Sequence, residues 1–251
     1  MEKIENVINS FLQPYIADDN IQAAMLYGSY AQGNQNKYSD IDIFIVSSDK
    51  LNWREQGSKI FSNYVFEYFI NPPKVIIREI EEYKLIWIIS IILNGKEIFD
   101  KTGILKQLKE KAYLVANRPI EPIGNFEIEM IKYSTSHYYD QLKRAYEYNS
   151  DEFQYLYYIL LDHIIYSYGK INGIQLSPKT KIYQYIFDEK YCLSKDLKKI
   201  NDYALLDKLK KCMIKNENEI MYKSITELND YFLDSIGGFN IDGWKIRGEI
   251  I

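Results

Sequence analysis

The sequence predicts an α+β chain, with strands confined to its first part and helices throughout the rest. Three observations carry this. The stretch Ala24 to Val46, AMLYGSYAQGNQNKYSDIDIFIV, runs from apolar residues through a polar loop into a second apolar run. Tyr64 to Ile70, YVFEYFI, is rich in aromatic and branched residues and alternates at a period of two. Beyond the segment Arg118 to Gly124, which holds Pro119 and Pro122, the apolar patterns have helical spacing. A boundary there divides the chain into a first domain over 1–117 and a helical domain over 118–251.

The elements follow in order. Glu2 to Ile16 carries Ile4, Val7, Ile8, Phe11 and Leu12 on one helical stripe. Ile21 to Tyr27 reads as the first strand, Gly28-Ser29 as a turn into a short helix, and Ile41 to Val46 as the second strand. Ser47 to Ser62 has no clear period, and Trp53 to Gly57 reads as a loop or a short helix. Tyr64 to Ile70 is the third strand. Pro72-Pro73 ends it, and Lys74 to Leu93 reads as one or two helices. Asn94-Gly95 is a turn, and Glu97 to Asp100 a short edge strand. Thr102 or Asp100 is the expected N-cap of a helix running through Ala116.

In the second domain, helices are expected over Phe126 to Tyr148 and over Phe153 to Tyr168, the latter ending near Gly169. Asn172-Gly173 is a turn. Further helices are expected from Ser177-Pro178, with Ser177 as cap, and over Ser194 to Asn201, Ala204 to Lys215 and Glu217 to Ser235. The tail from Gly237 is expected to be irregular.

Composition narrows the class. The 251 residues suffice for one large domain or two small ones. A net charge of −4 argues against a nucleic-acid polymer as the main substrate, since proteins that bind one carry a basic surface. Cys192 and Cys212 have no metal-ligand spacing and read as free thiols of a reducing cytoplasm. The start, MEKIENVINSFLQ, lacks the basic opening and apolar block of a signal peptide. Leu85 to Leu93 is too short to span a bilayer and reads as a buried helix, so no membrane partner is expected.

The chemistry concentrates between Gly28 and Asp42. The strand period puts Asp40 and Asp42 on one face. Two adjacent carboxylates repel, and magnesium, a hard cation that prefers oxygen ligands and keeps phosphates in its shell, relieves that repulsion. Gly28 lets the backbone come close to a ligand. Ser29 adds a hydroxyl, and the N–H groups that follow it favour an anion. Phosphate on one side and metal on the other describe a nucleoside triphosphate site. Glu67 is the only acidic residue inside the third strand. A buried, unpaired carboxylate is costly, so Glu67 needs either a partner or a solvent-facing edge.

The pattern Gly28-Ser29-x-Ala31-x-Gly33, followed by Ser39-Asp40-x-Asp42, resembles the signature of the DNA polymerase beta superfamily of nucleotidyltransferases. The resemblance implies a small mixed sheet that carries the motif, then a helical bundle, as in aminoglycoside and lincosamide nucleotidyltransferases. It implies ATP or another nucleoside triphosphate, held by Gly28, Ser29 and Ser39. It also implies two magnesium ions on Asp40 and Asp42, with Glu67 as the third acidic ligand. Asp40, Asp42 and Glu67 are then the catalytic residues, with Glu67 as metal ligand or general base. The implied reaction moves a nucleoside monophosphate, AMP from ATP, to a hydroxyl of a small molecule, with antibiotics among the candidates. A protein or tRNA acceptor, a catalytically silent nucleotide-binding module and a homodimer stay open as alternatives. In the helical domain Lys179 and Lys181 are candidates for the triphosphate or for a solvated helix face. Glu127, Glu129 and Asp162 are candidates for a cationic acceptor or for surface carboxylates. His137 and His163 lack a second histidine at ligand spacing and read as packing or surface residues.

Overall fold

A computed structural model describes residues 3–82, 86–118, 123–174, 176, 179–189, 191 and 199–247. The chain divides into two compact units, Met1–Pro119 and Ile120–Ile251.

The first unit is a five-stranded mixed sheet with helices on both faces. Its strands are β1 (Ile21–Tyr27), β2 (Ile41–Ser47), β3 (Glu55–Phe61), β4 (Tyr64–Asn71) and β5 (Lys96–Asp100), in the spatial order β3-β4-β2-β1-β5. From β2 the chain runs out to the far edge as β3, then turns back as β4, which inserts beside β2. That route makes β2–β4 the parallel pair, while the other neighbours are antiparallel.

Helix α1 (Ile4–Ala17) buries Val7, Ile8, Phe11 and Leu12 on one face, against Ile41, Ile43, Ile45 and Phe66. The Phe11 and Phe66 rings stack at 4.1 Å. The opposite face carries Ala23, Met25, Phe44 and Val46, packed with α3 (Pro73–Glu81), α4 (Ile86–Asn94) and α5 (Ile104–Ala116). Both faces are covered, and β2 accordingly reads as a nearly unbroken apolar run after Asp42.

Two expectations change here. Trp53 to Gly57, expected as a loop or short helix, contributes its last three residues to strand β3. This strand is an edge and mostly exposed, so no buried stripe forces its sequence to alternate. Its hairpin to β4 turns on Ser62 and Asn63, both at positive φ (48° and 65°), as a two-residue type I′ turn requires. The N-terminus of α5 is held by Asp100 alone. Its carboxylate accepts from the N–H groups of Thr102, Gly103, Ile104 and Leu105, so Thr102 is a donor there and not the cap. The region expected as one or two helices over 74–93 forms two, α3 and α4.

The second unit is helical: α6 (Asn125–Glu147), α7 (Phe153–Ile171), a 3-10 turn (Lys179–Lys181), α8 (Ile182–Phe187), α9 (Tyr203–Cys212) and α10 (Asn218–Ser235). Leu142, Tyr157, Leu160, Ile164, Leu209, Ile225, Leu228 and Phe232 are among its core residues. The Tyr157 hydroxyl donates to the Cys212 carbonyl at 2.7 Å, which satisfies a polar atom that burial would otherwise strand.

Helix α7 passes Gly169 and ends at Ile171. Gly169 serves packing instead: a Cβ there would lie 2.7 Å from the Ile174 carbonyl oxygen. The turn falls at Asn172-Gly173, with Gly173 at φ 59°. Asp202 caps α9, accepting from Leu205 N–H at 2.9 Å and from the Tyr231 hydroxyl at 2.8 Å. Ser177, Pro178, Cys192 and residues 194–198 lie outside the described residues, and 199–201 are not helical. The described tail beyond Gly237 is irregular, with Trp244 stacked on Tyr133 at 4.4 Å.

Candidate functional site

Strand register assembles the site. Asp42 pairs with Tyr27 on β1 and with Glu67 on β4. Residues directly opposite in a sheet share a face. Tyr27, Asp42 and Glu67 therefore form a row across three strands, on the face that α3, α4 and α5 cover further along. The row behind them, Met25, Phe44 and Phe69, is the one those helices pack on. Asp40 stands just before β2, at the position that continues the parity of Asp42. Asp40 and Asp42 are part-buried, Glu67 is the most open of the three, and one oxygen of each lies within 4.8 Å of the others.

Three acidic oxygens that close repel one another unless a cation or a proton intervenes. Tyr27 faces the same field. Burial, then the charges of Asp42, Glu67 and Asp40, push its phenol far above the ordinary tyrosine range. It is a protonated hydroxyl beside three carboxylates. Sequence reading passed over Tyr27 because only the β1–β2 register puts it opposite Asp42.

The Gly28-Ser29 turn abuts this row. Gly28 has φ 68°, and a Cβ on it would collide with Asp42 Oδ2. Its close approach is thus to a carboxylate of the cluster itself. Ser29 opens the short helix α2 (Gly28–Gln32), and its Oγ is buried with no hydrogen-bond partner among the described residues. An orphaned hydroxyl next to an acidic cluster suits an oxyanion or a metal-bound oxygen. Ser39 is occupied differently. Its Oγ accepts from Asn36 N–H at 2.9 Å and its N–H donates to Asn36 O at 3.0 Å, closing the turn that delivers Asp40.

The helical-unit candidates are ion-paired or packed. Lys179 Nζ bonds Asp162 Oδ2 at 2.7 Å and lies 4.8 Å over the Tyr166 ring. Glu127 pairs with Lys170, and Glu129 with Lys132 at 2.7 Å. His163 meets Thr135 Oγ1 at 3.0 Å, and burial pushes its imidazole below the usual range. His137 stacks on Tyr133.

The chain is similar to known proteins. Residues 6–103 match the family described as "Polymerase beta, Nucleotidyltransferase". A candidate protein adenylyltransferase of Methanocaldococcus jannaschii is 28% identical over 129 residues, which covers 48% of this chain and 87% of that protein. A crystal structure of a nucleotidyltransferase-like protein from Exiguobacterium sibiricum aligns with 94% of this chain and 77% of its own, at 10% identity and a TM-score of 0.45. The matched segment begins within α1, spans every strand of the sheet and ends just before α5. The match to the polymerase beta nucleotidyltransferase family thus falls within the first unit of the chain.

Proposed function

We propose that the protein transfers AMP from ATP to a hydroxyl group, forming the acceptor oxygen–Pα bond and releasing pyrophosphate, with Asp40, Asp42 and Glu67 as the residues that would hold two magnesium ions. The observation that carries the reading is the co-facial cluster of three carboxylates within 4.8 Å. Oxygen donors at that density suit a hard divalent cation, which also offsets their repulsion. When bound, the ions supply charge for the triphosphate and lower the pKa of an acceptor hydroxyl.

The chain's own residues do the positioning. Asp40 and Asp42 keep their spacing because the backbone of one strand and its approach fixes it. Gly28 lets the turn lie against Asp42 without displacing its carboxylate. Ser29 Oγ, which has no hydrogen-bond partner among the described residues, donates to a phosphate oxygen. Tyr27, held protonated, acts as a donor beside the cluster and not as a base. Glu67, opposite Asp42, would complete the metal site or take the acceptor's proton as general base. Lys179, a triphosphate candidate by sequence, is ion-paired with Asp162 inside the helical unit.

The acceptor is read as a small molecule, of which an antibiotic is one form. A protein hydroxyl is the second reading, favoured by what the M. jannaschii relative is named for. The test is incubation with magnesium and ATP labelled on the α-phosphate, with product analysis by thin-layer chromatography and by gel. Label on a small hydroxylated compound supports the first reading, and label on polypeptide the second. ATP left intact with every acceptor overturns both.

A further inference from the structure

We propose that the helical unit contains a binding site for an uncharged, polyhydroxylated ring of the sugar type, in a cavity along α6 and α7. The cavity has a volume of about 460 Å³, and Tyr138, Asp162, His163, Tyr166 and Lys179 are among its lining residues. That size lies within the range of roughly 300–1,000 Å³ typical of small-ligand pockets.

Three features define the occupant. The first is an uncommitted pair of hydrogen-bonding groups. Thr135 Oγ1 donates its single proton to the Ile131 carbonyl at 2.7 Å, so it can only accept from His163 Nε2 at 3.0 Å. The imidazole proton therefore sits on Nε2, and Nδ1 carries a lone pair. Burial favours the neutral ring. The Tyr166 hydroxyl is buried with no partner among the described residues. One acceptor and one donor match adjacent hydroxyls of a polyol.

The second feature is charge. Each ammonium at the cavity is matched by a carboxylate, Lys179 by Asp162 and Lys170 by Glu127. With His163 neutral, no fixed charge among the described lining residues is left over to favour a cationic amino sugar or a phosphate. The third feature is the aromatic wall. Tyr138 and Tyr166 offer ring faces or edges to the C–H surface of a sugar ring. The Lys179 side chain, exposed and lying over the Tyr166 ring, shifts while keeping its pair with Asp162 and so opens the phenol to the ligand.

This site stands whether or not the first unit transfers nucleotides. The full chain, with its two histidines isotope-labelled, is titrated with methyl glucoside, glucosamine and glucose 6-phosphate. The readout is the His163 ring signal by NMR, assigned through His163→Gln. Methyl glucoside should shift it saturably, and the two charged analogues at least about tenfold more weakly. Tyr166→Phe should weaken methyl glucoside binding severalfold with the melting temperature unchanged or raised, since an unpartnered hydroxyl is removed. Asp42→Asn should leave the binding intact. An unmoved His163 signal up to the solubility limit of methyl glucoside overturns the proposal. So does tighter binding of either charged analogue, unaltered binding in Tyr166→Phe, or loss of binding in Asp42→Asn.

Discussion

Gly28→Ala tests the architecture of the site most sharply, because two separate costs meet at one methyl group. The backbone stands at φ 68°, where an L-residue is strained by about 1–2 kcal/mol relative to glycine. The new Cβ also collides with Asp42 Oδ2, so the carboxylate must move. Strain alone is independent of Asp42, whereas Asp42→Ala removes the colliding carboxylate and leaves only a tight 3.3 Å contact to the Cβ of residue 42. A double-mutant cycle separates them. In urea unfolding, Gly28→Ala should cost roughly 2–4 kcal/mol in the native chain and only the strain of about 1–2 kcal/mol beside Asp42→Ala. Turnover of Gly28→Ala should fall by about a hundredfold or more, the usual effect of moving a catalytic group by roughly 1 Å. Equal destabilisation in both backgrounds would refute the claim that Gly28 is fixed by Asp42. The same glycine qualifies any test of phosphate binding: Gly28→Val disturbs Asp42 before it reaches a nucleotide.

Three further outcomes follow from the same geometry. Asp42→Asn and Asp40→Asn should each lower turnover by orders of magnitude, yet raise the melting temperature without metal, because a repelling charge is removed. Ser29→Ala should weaken ATP binding by about 1 kcal/mol, roughly fivefold, with little loss of stability, since Ser29 Oγ has no partner among the described residues to lose. Stability should fall as pH rises above about 10. Tyr27 has its phenol pushed far up by burial and the acidic cluster, and Tyr15 is pushed up to about 12 by burial and then Tyr68. The unfolded chain then releases protons that the folded chain retains, so the stability present below pH 10 is lost as pH climbs through the folded pKa values. Tyr27→Phe should flatten that alkaline slope in urea titrations.

Residue order alone made the acidic spacing readable. Asp40-x-Asp42 before an apolar run fixes two carboxylates on one face by the strand period, and Glu67 stands out as a lone acid in an aromatic strand. What stayed hidden depends on register and on edges. Tyr27 joins the cluster only because β1 pairs antiparallel with β2 at Asp42. Strand β3 was hidden because an exposed edge needs no apolar alternation. Its readable mark is the Ser62-Asn63 turn. Gly28 was read as making room for a ligand, while the atom it makes room for is Asp42 Oδ2. In the helical unit, Lys179 and Asp162 lie 17 residues apart, and Lys170 and Glu127 43 residues apart. Pairings at those separations come from packing, and they neutralise carboxylates that looked available to a cation.

The central claim is that Asp40, Asp42 and Glu67 hold divalent metal for nucleotide chemistry. Manganese binding measured by electron paramagnetic resonance, in the presence of ATP, tests it most directly. The native chain should bind manganese saturably, and Glu67→Gln, which keeps the shape and removes one charge, should bind it at least about tenfold more weakly. Equal manganese affinity in the two proteins would contradict the account.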